Sequence, residues 1–194
     1  MQLLNQRILK DGMELGTEII KADSFLSHQL DIGLFMALGK EIQCRFGHLG
    51  INKILTIESS GIGIAAITAM YFDLVPVVFA KKTQPNTMTE EFYGAPVKSF
   101  TKGTVSIARI AKKYLHPEDR VLIVDDFLAH GEAAAGLCSL VEQAGGTVCG
   151  ISAVIEKEFQ GGSTKLRQAG YYVNSLSVIT KIENGKIYFK DETE

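Results

Sequence analysis

Apolar positions along this 194-residue chain follow two periods. Residues 3–10 place them at helical spacing, and so do residues 32–46, where Leu34, Phe35, Leu38, Ile42 and Phe46 share one face. Short continuous apolar runs at 53–57, 75–80, 120–124 and 148–155 read as buried strands, and Pro76 suits the start of its strand. Between them lie an Ala- and Ile-rich helix at 61–70 and a helix at 132–143, the latter closed by Gly145-Gly146. Residues 83–95 are polar, carry Pro85 and Gly94, and read as a long loop. Residues 97–100 and 104–110 read as hairpin arms about Lys102-Gly103. A short helix ends at 166–168 before Gly170. Strands follow at 171–173, 175–182 and 186–189, with Asn184-Gly185 as a tight turn. Strands alternating with helices predict an α/β fold with a mostly parallel central sheet flanked by helices, as a single domain over 1–194.

Composition narrows the function classes. A chain that is 46% hydrophobic is long enough for one well-buried core. Its net charge is −2 and no basic stripe stands out, which argues against a nucleic-acid partner. No run reaches transmembrane length and residues 1–11 lack a signal-peptide core, so no membrane partner is expected. Cys44, Cys138 and Cys149 form no CxxC pair; they read as small buried hydrophobes of a protein from the reducing cytoplasm. The histidines at 28, 48, 116 and 130 have no metal-ligand spacing.

The richest segment is Val121-Leu-Ile-Val-Asp-Asp-Phe-Leu-Ala-His-Gly-Glu-Ala-Ala-Ala-Gly136. A buried strand runs to Val124, and the carboxylates Asp125 and Asp126 end it. A small-residue turn with Ala129, His130 and Gly131 leads into a helix at Glu132 and Ala133. Free N–H groups at a helix start suit a phosphate, and paired carboxylates accept from sugar hydroxyls, so one turn can hold both ends of a sugar phosphate. Glu58, Ser59, Ser60 and Gly61 repeat the logic after the strand at 53–57: hydroxyls, a glycine that lets an oxyanion approach, then a helix. The plain alternative there is a simple helix cap. Lys81-Lys82 ends the next strand, and Lys157 and Phe159 follow the strand at 148–155, where an ammonium can donate and a ring can stack.

The sixteen-residue segment resembles the phosphoribosyl-pyrophosphate (PRPP) motif of the type I phosphoribosyltransferases. With Asp23-Ser-Phe-Leu, Thr56-Ile-Glu-Ser-Ser-Gly-Ile62, Val75-Pro-Val-Val-Phe-Ala-Lys81 and Ile155-Glu-Lys157, the similarity runs nearly end to end with the purine phosphoribosyltransferases, on the branch that uses xanthine. The resemblance implies transfer of a 5-phosphoribosyl group from PRPP to xanthine, giving xanthosine 5′-monophosphate (XMP) and pyrophosphate, in a homodimer with Mg²⁺ bound alongside PRPP. It implies that Asp125 and Asp126 hold the ribose hydroxyls, and that Ala129, His130, Gly131, Glu132 and Ala133 wrap the 5′-phosphate. It also implies that Glu58, Ser59, Ser60, Gly61 and Lys81 face pyrophosphate. Ile20, Ser27 and Lys157 would contact the base under a hood near residues 1–30 and 156–194. Residues 83–103 would be a closing loop that excludes water.

Two positions depart from that pattern. The phosphate loop lacks the usual Thr or Ser, and Ser27 stands where an Asn is common. Adenine or guanine/hypoxanthine transferases remain alternatives, as does a PRPP-sensing regulator of the same fold. Lys157 favours an oxo-purine over adenine, and a regulator needs a DNA-binding module for which the chain has no room. A dehydrogenase-type nucleotide fold fails because no GxGxxG follows a strand.

Overall fold

The computed structural model describes residues 1–15, 19–83, 91–99 and 104–190. Helix α1 (Gln2–Asp11) leads into a small hairpin, β1 (Met13–Leu15) with β2 (Ile19–Lys21), and a π-helical turn over Asp23–Ser27. Helix α2 (Ile32–Phe46) is capped by Asp31, whose carboxylate accepts from the Leu34 N–H at 3.0 Å. Then come β3 (Lys53–Ile57), α3 (Gly61–Ala69), β4 (Val77–Ala80), β5 (Phe92–Ser99) and β6 (Thr104–Ala111). The rest is β7 (Arg120–Leu128), α4 (Glu132–Gln143), β8 (Thr147–Lys157), α5 (Gly162–Gln168), β9 (Ser177–Glu183) and β10 (Lys186–Phe189).

Six strands form the central sheet in the order β10-β9-β8-β7-β3-β4; only the β9–β10 pairing is antiparallel. Asn184 and Gly185 join β9 to β10 with φ of 50° and 74°, as a turn with two left-handed positions requires. One core lies between the sheet, α2, α3 and the N-terminal elements; a second lies against α4 and the β5–β6 hairpin. The first core joins Leu4, Ile8, Ile20, Phe25 and Leu26 to Leu176, Ile179 and Ile182, so residues from both ends of the chain share it. Asn5 accepts from the Ser177 hydroxyl at 2.7 Å across that seam. At the opposite end of the sheet from the strand C-termini, buried Lys53 pairs with Asp119 at 2.6 Å and donates to the Tyr114 carbonyl.

Three expectations change. The loop expected over 83–95, and the closing loop over 83–103, give way to strand from Phe92 onward, paired along its length with β6; residues 84–90 and 100–103 lie outside the described residues. Gly94 and Pro96 are accommodated because a two-stranded ribbon is all edge. Residues 171–173 contribute a single bridge, Val173 to Ile151, rather than a strand. Of the cysteines only Cys138 is buried; Cys44 is exposed and Cys149 half-buried.

Candidate active site

The site gathers at the carboxyl ends of β3, β7 and β8, where parallel sheets hold their ligands. Asp125 and Asp126 do not end β7: the strand continues to Leu128, with Asp125 opposite Ala153 and Phe127 opposite Ile155. The pleat changes phase at the acidic pair instead. Val121 and Ile123 pack into the second core and Leu122 and Val124 into the first, but beyond the pair Phe127 lies against the first and Leu128 in the second. Side chains supply the local hydrogen bonds. The Asp126 N–H donates to the Asp125 carboxylate at 3.0 Å, and the Phe127 N–H to that of Asp126 at 2.9 Å. One oxygen of each carboxylate is thereby fixed by the following residue.

Burial pushes the Asp125 carboxyl well above the usual carboxylate range. The neighbouring charge of Asp126 pushes the same way, and Lys82 pulls against both. Lys82 is thus a cation whose charge is felt at Asp125. Lys81, expected to face pyrophosphate, bridges by its backbone to Arg109 and lays its ammonium 6.0 Å from the Phe79 ring centre. Lys82 is itself tethered: its N–H donates to the Glu58 carboxylate at 2.5 Å.

The Glu58–Gly61 turn sits directly beside this pair. A Cβ added to Gly61 would stand 2.0 Å from the Thr56 hydroxyl oxygen and 3.2 Å from Asp125 Oδ1. Only glycine lets α3 start so close to both β3 and β7. Thr56 is fully buried and its hydroxyl has no hydrogen-bond partner. Ser60 precedes the helix without any side-chain cap bond, so the simple capping reading of this turn does not hold.

On the other side of Asp126, residues 127–134 and Lys98 line a cavity of about 180 Å³. Gly131 adopts φ 85°, and no side chain caps the N-terminus of α4. The turn is braced from behind by a residue the sequence did not flag. The Gly162 N–H donates to the Ala129 carbonyl at 3.0 Å, and a Cβ on Gly162 would lie 2.3 Å from that oxygen and 2.5 Å from the Gly131 nitrogen. The signal present in the sequence is the adjacent pair Gly161-Gly162.

Lys157 stands at the end of β8 with its ammonium 5.7 Å from the Phe127 ring centre. Phe127 is thus the aromatic beside the expected base-selecting lysine, while Phe159 is exposed. Ile20 is buried in the first core, against which Phe127 also packs; Ser27 is exposed at the end of the π-helical turn. No group of three or more His, Cys, Asp or Glu among the described residues could cage a metal ion.

A mostly parallel sheet with two strand-turn-helix turns flanking one acidic pair matches the arrangement expected of a phosphoribosyltransferase. Solved structures agree on the fold: adenine phosphoribosyltransferase from Giardia lamblia superposes with a TM-score of 0.76 at 21% identity, covering 90% of this chain and 96% of that one. The enzyme of the same name from Rhodothermus marinus gives 0.72 at 22%, covering 92% and 99%. No family model matches the chain. Among curated proteins, xanthine phosphoribosyltransferase from Ruminiclostridium cellulolyticum is 52% identical over 98% of this chain and 100% of its own length. The protein of that name from Streptococcus pneumoniae is 51% identical over 98% of both. The chain belongs to the xanthine phosphoribosyltransferase family and is an enzyme of that class.

Proposed function

We propose that this protein transfers the 5-phosphoribosyl group of PRPP to xanthine, giving XMP and pyrophosphate in purine salvage. The observation that carries the reading is the junction of three elements at Asp125. The Glu58–Gly61 turn approaches within a Cβ's width on one side, and the uncapped start of α4 follows within a few residues on the other. A ligand with a pyrophosphate at one end, a ribose in the middle and a phosphate at the other matches that spacing of chemistry. Full-length relatives at about half identity support xanthine as the acceptor.

In this reading Asp125 and Asp126 accept from the ribose 2′ and 3′ hydroxyls, each with one oxygen already oriented by a backbone N–H. Backbone N–H groups of Ala129, His130, Gly131, Glu132 and Ala133 hold the 5′-phosphate. Glu58, Ser59, Ser60 and Gly61 receive the pyrophosphate, with Lys81 and Lys82 near its charge. Xanthine N9 attacks the anomeric carbon as the C–O bond to pyrophosphate breaks, and no side chain becomes covalent. Positioning and charge placement carry the rate. Asp125 and Asp126, with no group of three such ligands among the described residues, would suit Mg²⁺, which keeps most of its ligands as water and phosphate oxygens. When bound with PRPP, the ion would supply charge that offsets the leaving group.

Lys157 donates to a purine oxygen, Ser27 bonds the base from the hood, and Ile20 supports that wall. The protein works in the cytoplasm as a homodimer; light scattering at micromolar concentration with PRPP present tests the assembly, and a monomeric mass with full activity overturns it. The chemistry is tested by incubating protein, PRPP, Mg²⁺ and xanthine: XMP and pyrophosphate in equal amounts support the reading, and no XMP overturns it.

A further inference from the structure

The 5′-phosphate turn is poor in side-chain donors, His130 being its one polar ring. Its sequence, Leu128-Ala-His-Gly-Glu-Ala133, contains no hydroxyl, and α4 begins without a side-chain cap, with the acidic Glu132 in its first turn. A dianionic phosphate there meets backbone N–H groups and an opposing carboxylate. The β5–β6 hairpin supplies a cation from outside this segment. Strand β5 runs antiparallel to α4: Gln143, at the C-terminal end of the helix, donates to the Gly94 carbonyl at 3.0 Å. Seven residues earlier, a Cβ on Gly136 would meet Val97 at 2.7 Å and the Pro96 carbonyl at 3.5 Å. Two further strand residues advance about 6.6 Å, and four helical residues about 6 Å. Lys98 therefore falls beside Glu132, in the first turn. The cavity bears this out, since Lys98 lines it together with Phe127, His130 and Glu132. Ala95 and Val97, on the alternate face, are buried and anchor the strand on the second core.

We propose that Lys98 is a further binding residue of the sugar-phosphate subsite, reaching from β5 to the 5′-phosphate held by residues 129–133. This rests on the phosphoribosyl-transfer reading given above. Lys98 is exposed, so its charge acts through solvent and its effect is moderate. Its consequence is that the hairpin, which is separate from the central sheet, takes part directly in holding PRPP.

Titration calorimetry with ribose 5-phosphate tests this, with ribose and inorganic pyrophosphate as control ligands. The unmodified protein is compared with Lys98→Met, which keeps the aliphatic stem, and Lys98→Arg, which keeps the charge. Lys98→Met is expected to bind ribose 5-phosphate about tenfold more weakly, equivalent to one charge-assisted contact on an exposed site. Its KM for PRPP should rise by a similar factor with kcat within about threefold. Pyrophosphate affinity and the melting temperature should stay as they were, and Lys98→Arg should recover most of the loss. Ribose 5-phosphate binding within twofold of the original in a folded Lys98→Met protein overturns the role of Lys98 and leaves the transferase reading standing. If the unmodified protein binds ribose 5-phosphate no better than ribose, both are overturned.

Discussion

Replacing Gly61 by Ala probes the junction on which the site depends. The new Cβ would lie 2.0 Å from Thr56 Oγ1, and ordinary contact begins near 3.4 Å, so something must move by about 1.4 Å. Thr56 is fully buried on β3, where burial leaves its side chain little room to yield, and Asp125 Oδ1 closes the other side at 3.2 Å. The helix start must then yield. Overpacking costs about 1–3 kcal/mol. Ala gains up to about 1 kcal/mol over Gly in a helix, which offsets part of it. A net loss of up to about 2 kcal/mol lowers the melting temperature by up to about 8 °C in a chain of this size. Catalysis should suffer more, because displacing the turn by about an ångström relative to Asp125 costs on the order of 100-fold. Initial rates over a range of PRPP, with melting curves, give both quantities. The double variant Gly61→Ala, Thr56→Ala removes the oxygen that clashes and should regain most of the stability, a coupling of more than about 0.5 kcal/mol. Gly61→Ala alone with unchanged melting and kcat/KM within twofold would falsify the close-approach account.

Further predictions separate stability from function. Because burial and Asp126 raise Asp125 in the folded state, the unfolded chain ionises this group first; the stability it lends in acid is lost as pH rises through its folded pKa. Asp125→Asn should therefore melt above the original at neutral pH, lose that advantage below the ordinary aspartate pKa of about 4, and turn over PRPP very poorly; equal melting at both pH values would refute the raised pKa. Gly162→Ala would force a Cβ to 2.3 Å from the Ala129 carbonyl and should raise the KM for PRPP more than that for xanthine, with equal effects on both counting against the bracing role. Lys157→Ala should lower the use of xanthine and guanine, while Ser27→Asn should keep or raise the preference for xanthine; catalytic efficiencies for each base decide this.

Much of the fold was legible because its elements are strongly patterned. The limits of α2, β3 and α4 fall where the apolar spacing and the Gly145-Gly146 stop put them. Short-range punctuation misled where tertiary pairing overrode it. Gly94 weakens a helix or an inner strand, but a ribbon with free edges tolerates it. Asp125 and Asp126 read as a strand end, yet β8 continues to pair past them, with Leu128 opposite Glu156. The two turns around the acidic pair were readable because each lies within one strand-turn-helix stretch. Gly162 and Lys98 were not, since each reaches the second of these turns from a distant segment.

The most direct test of the central claim is pyrophosphate release by the purified protein with PRPP, Mg²⁺ and each of xanthine, guanine, hypoxanthine and adenine in turn. Oxygens at both C2 and C6 suit a site that donates through Lys157, so xanthine should give the highest kcat/KM, guanine and hypoxanthine lower values, and adenine the least. Adenine as the best acceptor, or no pyrophosphate with any base, would contradict it.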